Sequence, residues 1–139
     1  MKKAANISVE ATVKSDITKV WNTWVEPEHI KKWNFASPDW HTPKAENDLR
    51  EGGKFSATME AKDGSSGFDF TGTYNEIVPH QKIKYTIDDG RKVKITFKQL
   101  SNGILVREVF EPETVNSQDR QQQGWQAILD NFKAYVESN

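Results

Sequence analysis

The sequence predicts an α+β domain: a twisted antiparallel sheet of about six to seven strands, with two short helices and one long C-terminal helix. Three observations predict it. Apolar and polar residues alternate in several short runs, the pattern of strands with one buried face. Asp-Gly and Asn-Gly pairs separate these runs, and such turns join neighbouring antiparallel strands. Apolar residues at helical spacing occur near the start and at the end of the chain.

The elements follow in order. Over residues 6–14, Ile7, Val9, Ala11 and Val13 alternate with Ser8, Glu10, Thr12 and Lys14, giving a half-buried strand. Ser15-Asp16 then offers a helix N-cap and a first-turn acid. Ile17, Val20, Trp21, Trp24 and Val25 form one helical stripe, assigned to packing. Pro27 suits the first turn of a second helix, where a missing N–H is not needed, with Ile30 and Trp33 on one side. Residues 34–48 show no period and read as an irregular loop bearing Phe35, Pro38, Trp40 and Pro43. Alternation returns with Phe55, Ala57, Met59 and Ala61 inward, and Asp63-Gly64 marks a hairpin. Phe68, Phe70, Gly72 and Tyr74 share the next face, which Pro79 ends. Ile83, Tyr85 and Ile87, then Val93, Ile95 and Phe97, then Ile104, Val106, Glu108 and Phe110 form three further strands. Ser117 caps the final helix, whose apolar face is Trp125, Ile128, Leu129, Phe132 and Val136. Its polar opening, Gln118 to Gln123, reads as a fraying end, with a movable lid as the alternative. Gly124 inside it implies a close approach or a bend, because glycine costs about 1 kcal/mol against alanine there.

The chain of 139 residues is of one-domain size, and the expectation is a single domain over 1–139. Lys plus Arg total 19 and Asp plus Glu 20, a net charge of −1. Without a net positive field, nucleic acid is not an expected partner. No apolar run is long enough for a membrane span. The start Met1-Lys2-Lys3 is charged, but Ala4-Ala5-Asn6-Ile7-Ser8 is not an apolar signal core. Cysteine is absent, which removes disulfides and thiolate chemistry and fits a cytoplasmic protein. His29, His41 and His80 have no ligand spacing, so no metal is expected. No nucleophile elbow, dinucleotide fingerprint or phosphate loop occurs, so no cofactor is expected.

A set of motifs spread along the chain carries a family resemblance. Val20-Trp21 with Trp24, Pro27-Glu28 and Ile30-Lys31-Lys32-Trp33 stand in the first two helices. Leu49-Arg50-Glu51-Gly52-Gly53-Lys54-Phe55 and Gly72-Thr73-Tyr74-Asn75-Glu76-Ile77-Val78-Pro79 begin and fill strands. Gly124-Trp125, with Leu129, Phe132 and Tyr135, stands in the last helix. The ordered set resembles the START-like (SRPBCC) superfamily, in its branch related to the C-terminal domain of the activator of the heat-shock chaperone ATPase. The resemblance implies a helix-grip fold, with a cavity between the long helix and the sheet. It does not imply one activity, since the superfamily includes lipid carriers, cyclases and interaction modules. Where the branch often carries a second aromatic after the helix-two Trp, this chain has Asn34, followed by Phe35.

Two readings of the aromatic faces stay open. Phe55, Met59, Phe68, Phe70, Tyr85 and Phe97, with Phe110, Trp125, Leu129 and Phe132, either line an apolar ligand pocket or fill the core. Trp33, Phe35 and Trp40 complete the candidate ligand-contact set, with Tyr74 and Glu108 as its polar members. Glu108 alternates inward between Val106 and Phe110, where an unpaired carboxylate is costly. Either it is a cavity acid with a raised pKa, or a bulge or a partner (Arg107, Lys84 or Tyr74) neutralises the problem. Glu76, at a strand end, reads as structurally paired, with Arg50 as the suggested partner. His41 reads as a solvated loop residue or the edge of a pocket mouth. Lys92, Lys94 and Lys98 form an outward basic stripe, read as a solvated face or as a docking stripe.

Three functions follow from these readings. The first is binding of a small apolar or amphipathic molecule. The second is a protein-interaction module with a chaperone or other protein partner. The third is an enzyme of cyclase or hydrolase type that uses Glu108 or His41.

Overall fold

The computed structural model describes residues 6–139. The charged start at Met1-Lys2-Lys3 lies outside the described residues. β1 (Ile7–Val13) leads into α1 (Ile17–Val25) and α2 (Pro27–Trp33). Six strands follow: β2 (Trp40–Asn47), β3 (Lys54–Ala61), β4 (Gly67–Val78), β5 (Lys82–Ile87), β6 (Lys92–Leu100) and β7 (Gly103–Phe110). α3 (Gln118–Ser138) closes the chain. The sheet is antiparallel throughout, in the order β1-β7-β6-β5-β4-β3-β2. After α2 the chain therefore crosses to the far edge and returns as a meander to β1. The architecture is the α+β helix-grip arrangement that the motifs implied.

β1 is one edge of the sheet, and α3 covers it. Gln122 donates to the carbonyl of Ser8 at 3.2 Å, Gln126 to Glu10 at 3.1 Å, and Lys133 Nζ to Thr12 at 2.7 Å. The backbone N–H of Lys14 donates to Glu137 at 2.8 Å. The free backbone groups of an edge strand are a template for unwanted pairing. Here side chains along one face of α3 satisfy them.

The alternating runs become strands for the reason expected: one face is buried. Val13, Ile104, Val106 and Phe110 are wholly inaccessible, as are Val20 of α1 and Leu129 and Phe132 of α3. Trp21 packs edge-on against Phe97 at 5.3 Å, and Phe132 receives Trp24 at 4.8 Å and Trp33 at 4.9 Å. Gly72 in β4 is required by packing. A Cβ there would lie 2.6 Å from the carbonyl oxygen of Thr86 and 2.7 Å from the ring of Phe55.

Four expectations need correction. Residues 34–48 are not all loop, since β2 runs along β3 as the second edge strand. Pro43 hides it, because it sits where the register shifts between His41 and Lys44, a place where a missing N–H is tolerated. The α1 cap is Asp16, which accepts from the N–H of Lys19 at 2.8 Å, and Ser15 lies outside the helix. The opening of α3 is not a fraying end. Ser117 caps it, and buried Gln121 bonds the N–H of Glu113 and the carbonyls of Glu113 and Asn116. Gly124 makes no close approach either, since a Cβ there would meet nothing within 4 Å.

Candidate functional site

The first half of α3 does not rest on a filled core. Beneath it lies an open cavity of about 560 Å³, bounded by α1, α2, β2 to β5 and the inward side of β7. Trp125 and Ile128 look down from α3, and Trp24, Ile30 and Trp33 close one side. Phe55, Met59, Phe70, Tyr74, Ile83 and Tyr85 form the sheet wall. The rings hold one another edge-on, with Phe55 and Tyr85 at 4.8 Å and Phe70 and Trp125 at 6.1 Å. Such mutual packing fixes wall shape without filling the space. Phe68, Asp69, Asp88 and Asp89 are exposed and mark the open side.

Nine of the candidate contact residues line this space: Trp33, Phe55, Met59, Phe68, Phe70, Tyr74, Tyr85, Glu108 and Trp125. Six do not. Phe97 is packed against Trp21 and Trp24, and Leu129 and Phe132 are sealed in the core. Phe110 lies one layer behind the wall, stacked on Trp125 at 3.8 Å. Trp40 sits beside Phe68 at 6.1 Å, and the carbonyl of Phe35 accepts from Asn131 of α3. Asn34, where the branch often carries an aromatic, is part of the lining. Trp24, assigned to packing, does both jobs: it packs on Trp33 at 4.9 Å and reaches the cavity. Gln121 and Arg91 also line it. Nothing in a single sequence marks either, because each sits in or beside a polar loop and reads as solvated: Gln121 bonds Glu113 and Asn116, and Arg91 pairs with Asp89.

Glu108 settles inward. The register of β7 is unbroken against both neighbours, with Glu108 opposite Val9 on β1 and Ile95 on β6. No bulge turns it out, and it is 5% exposed. The three partners considered for it are unavailable. Arg107 is exposed on the opposite face. Lys84 lies 3.6 Å from Glu76. The hydroxyl of Tyr74 donates to Asn47 at 2.5 Å. No side-chain polar atom among the described residues is both sealed in and unbonded, so the unpartnered carboxyl oxygens face cavity space. Desolvation pushes this carboxyl up to about 8, because the charged form loses water and gains no compensating bond. Burial, and then the charge of Glu108, hold the Tyr85 phenol well above its ordinary range; burial does the same for Tyr74.

The other polar candidates are structural. Glu76 is paired, as expected of it, but with Lys82 at 3.0 Å as well as Lys84, while Arg50 pairs with Asp48. His41 lies on β2 against Glu60 at 3.1 Å and does not line the cavity. Among the described residues, no group of three or more His, Cys, Asp or Glu is placed to hold a metal ion. Among them, too, no helix is long and apolar enough to cross a membrane.

The family model of the activator of Hsp90 ATPase homolog 1-like protein matches residues 14–137. The chain is similar to an AHSA1-like protein of Aeromonas hydrophila, whose solution structure is 47% identical. That alignment covers 96% of this chain and 92% of that one, with a TM-score of 0.90. It is similar to a Cytophaga hutchinsonii protein at 52% identity, covering 96% and 93% of the two chains, with a TM-score of 0.83. A Chromobacterium violaceum protein, 26% identical, aligns over 97% and 99% with a TM-score of 0.86. No curated protein matches the chain.

Proposed function

Because the chain belongs to the activator of Hsp90 ATPase homolog 1-like family, whose fold suits either a ligand cavity or an interaction module, we propose that it binds a small apolar or amphipathic molecule. One observation carries this reading: the space of about 560 Å³ under the first half of α3 is walled by aromatic rings and left unfilled. That volume falls within the range of small-molecule sites, which are mostly apolar with a few polar groups that orient the ligand. Each 100 Å² of ligand apolar surface moved from water to this wall contributes about 2.5 kcal/mol. Glu108 is the group that would orient a polar end.

Native mass spectrometry of the freshly purified protein, beside the denatured chain, tests this directly. Trp24, Trp33 and Trp125 line the cavity, so a fluorescence titration with fatty acids, sterols and flavonoids reads the same site. A retained adduct, or saturable quenching lost in a folded Phe70→Asp variant, is the expected result. A bare mass with no quenching by any of these ligands, or by an aromatic amine such as 1-naphthylmethylamine, overturns the proposal. The interaction-module reading then takes its place, with the exposed face of Lys92, Lys94 and Lys98 as the surface to probe.

A further inference from the structure

We propose that the cavity selects a protonated amine carried on an apolar body, with Glu108 as its counter-ion; this rests on the reading of the cavity as a small-molecule site. A row of inward residues crosses the sheet at Glu108. Val9, Glu108, Ile95 and Ile83 stand side by side on β1, β7, β6 and β5. Three are apolar, and the fourth carries a carboxyl group, 5% exposed, with no hydrogen bond or ion pair among the described residues. A buried carboxyl group of this kind is stabilised by a positive charge, and no Lys, Arg or His side chain is paired with it among the described residues. Space for one is present, because Glu108 lines the cavity.

The charge of the remaining lining is predominantly negative. Glu46, Asp69, Asp88, Asp89 and Glu113 line the cavity with Glu108. Arg91 is the one cation among the described lining residues, and Asp89 holds it at 2.8 Å. A negatively charged opening raises the local concentration of cations and repels anions. The aromatic wall acts in the same direction, because the face of a Trp, Tyr or Phe ring attracts an ammonium group. Tyr85, Trp125 and Phe55 supply such rings. Fatty acids and other carboxylates are the wrong sign for this site.

The neighbours of Glu108 make the pH dependence simple. α1, α2 and α3 contribute no ionisable side chain to the lining, and no histidine lines it among the described residues. Tyr74 and Tyr85 stay neutral, since burial raises both phenols. Glu113 is held low by the backbone N–H groups of Asn116 and Val115, and so stays charged. The carboxyl of Glu108 is held at about 8, so at neutral pH the empty cavity holds it protonated. An ammonium ligand needs the carboxylate, so binding expels a proton, and affinity rises with pH until Glu108 is already ionised.

Three probes with one ring body separate the possibilities: 1-naphthylmethylamine, 1-naphthylmethanol and 1-naphthoate. Isothermal titration calorimetry in phosphate and in Tris counts the protons exchanged. The amine is expected to bind at least about tenfold tighter than the alcohol, and 1-naphthoate weakest. Below pH 8, amine affinity is expected to rise about tenfold per pH unit, with release approaching one proton. Glu108→Gln is expected to remove the amine preference and the pH dependence while keeping alcohol binding, and Glu108→Asp to retain the preference. The wild-type pH series decides the question even if a variant fails to fold. If the alcohol or 1-naphthoate binds as tightly as the amine, or if amine binding ignores pH, the amine proposal is overturned and the cavity reading stands. If none of the three binds, both fall.

Discussion

The two halves of α3 lie over the same sheet and do different things. From Leu129 onward the helix is sealed to the core, with Leu129, Phe132 and Val136 at most 1% exposed. Before Leu129 its inward residues, Gln121, Trp125 and Ile128, border open space. Apolar residues face inward in both halves, so apolar character alone does not decide whether a space is filled. What differs is the opposing layer. Trp24 and Trp33 both reach Phe132 and fill the gap beneath it. Over the cavity, Phe55, Phe70 and Tyr85 lean on one another and on the sheet instead. The molecule thus has a packed end that holds it together and a hollow end, which we propose as the binding site.

Truncating one ring at each end tests that division most strongly. Phe132→Ala is expected to cost about 3–5 kcal/mol, because a sealed phenyl ring leaves a void that its neighbours cannot fill. Phe70→Ala only widens a space that already exists, so the void term is absent and about 1–2 kcal/mol of lost burial remains. Urea unfolding of both variants measures the difference. Equal losses would mean that the hollow end is as tightly packed as the other.

A second test separates the ends by pH. Glu108 belongs to the hollow end, and its carboxyl is raised to about 8 in the folded chain. For a carboxylic acid with a raised folded pKa, the contribution to stability is full below the unfolded pKa, near 4.3, and lost as pH climbs to the folded value. Wild-type stability is therefore expected to fall by about 1.4 kcal/mol per pH unit between about pH 5 and pH 8, relative to Glu108→Gln. Denaturation midpoints for both proteins across that range check it. Parallel curves would place a partner or ample water at the carboxylate and remove the reason to assign it to a ligand.

How much of this was legible in the sequence depends on which physical signal each feature leaves. β1 and β5 to β7 were legible because burial of one face forces a period of two, and the same period put Glu108 inward. β2 was not, because Pro43 and the register shift at His41 and Lys44 interrupt its alternation. The division of the aromatics into wall and core was illegible for a different reason. Phe70 and Phe97 occupy equivalent inward positions on their strands, and only the element packed above each one decides its role. Gln121 left no trace, since its three bonds go to the loop before α3 and a glutamine in a polar run looks solvated.

The smallest expected effect is at Gly124. Gly124 lies in the hollow half of α3, three residues beyond Gln121, and a Cβ there would meet nothing within 4 Å. No close approach requires glycine, and its backbone is helical, with positive φ confined to other residues. Gly124→Ala is therefore expected to stabilise the folded chain by about 1 kcal/mol, the helix-propensity difference. The informative comparison is between stability and ligand binding in the same variant. If the first turns of α3 stay docked through Gln121, Gln122 and the Ser117 cap, a stiffer helix leaves equilibrium affinity unchanged and shifts the urea midpoint alone. If association of the naphthyl probes slows in Gly124→Ala, ligand entry uses bending of this half, and the division of α3 into a packed and a hollow end is also a division into a fixed and a moving one.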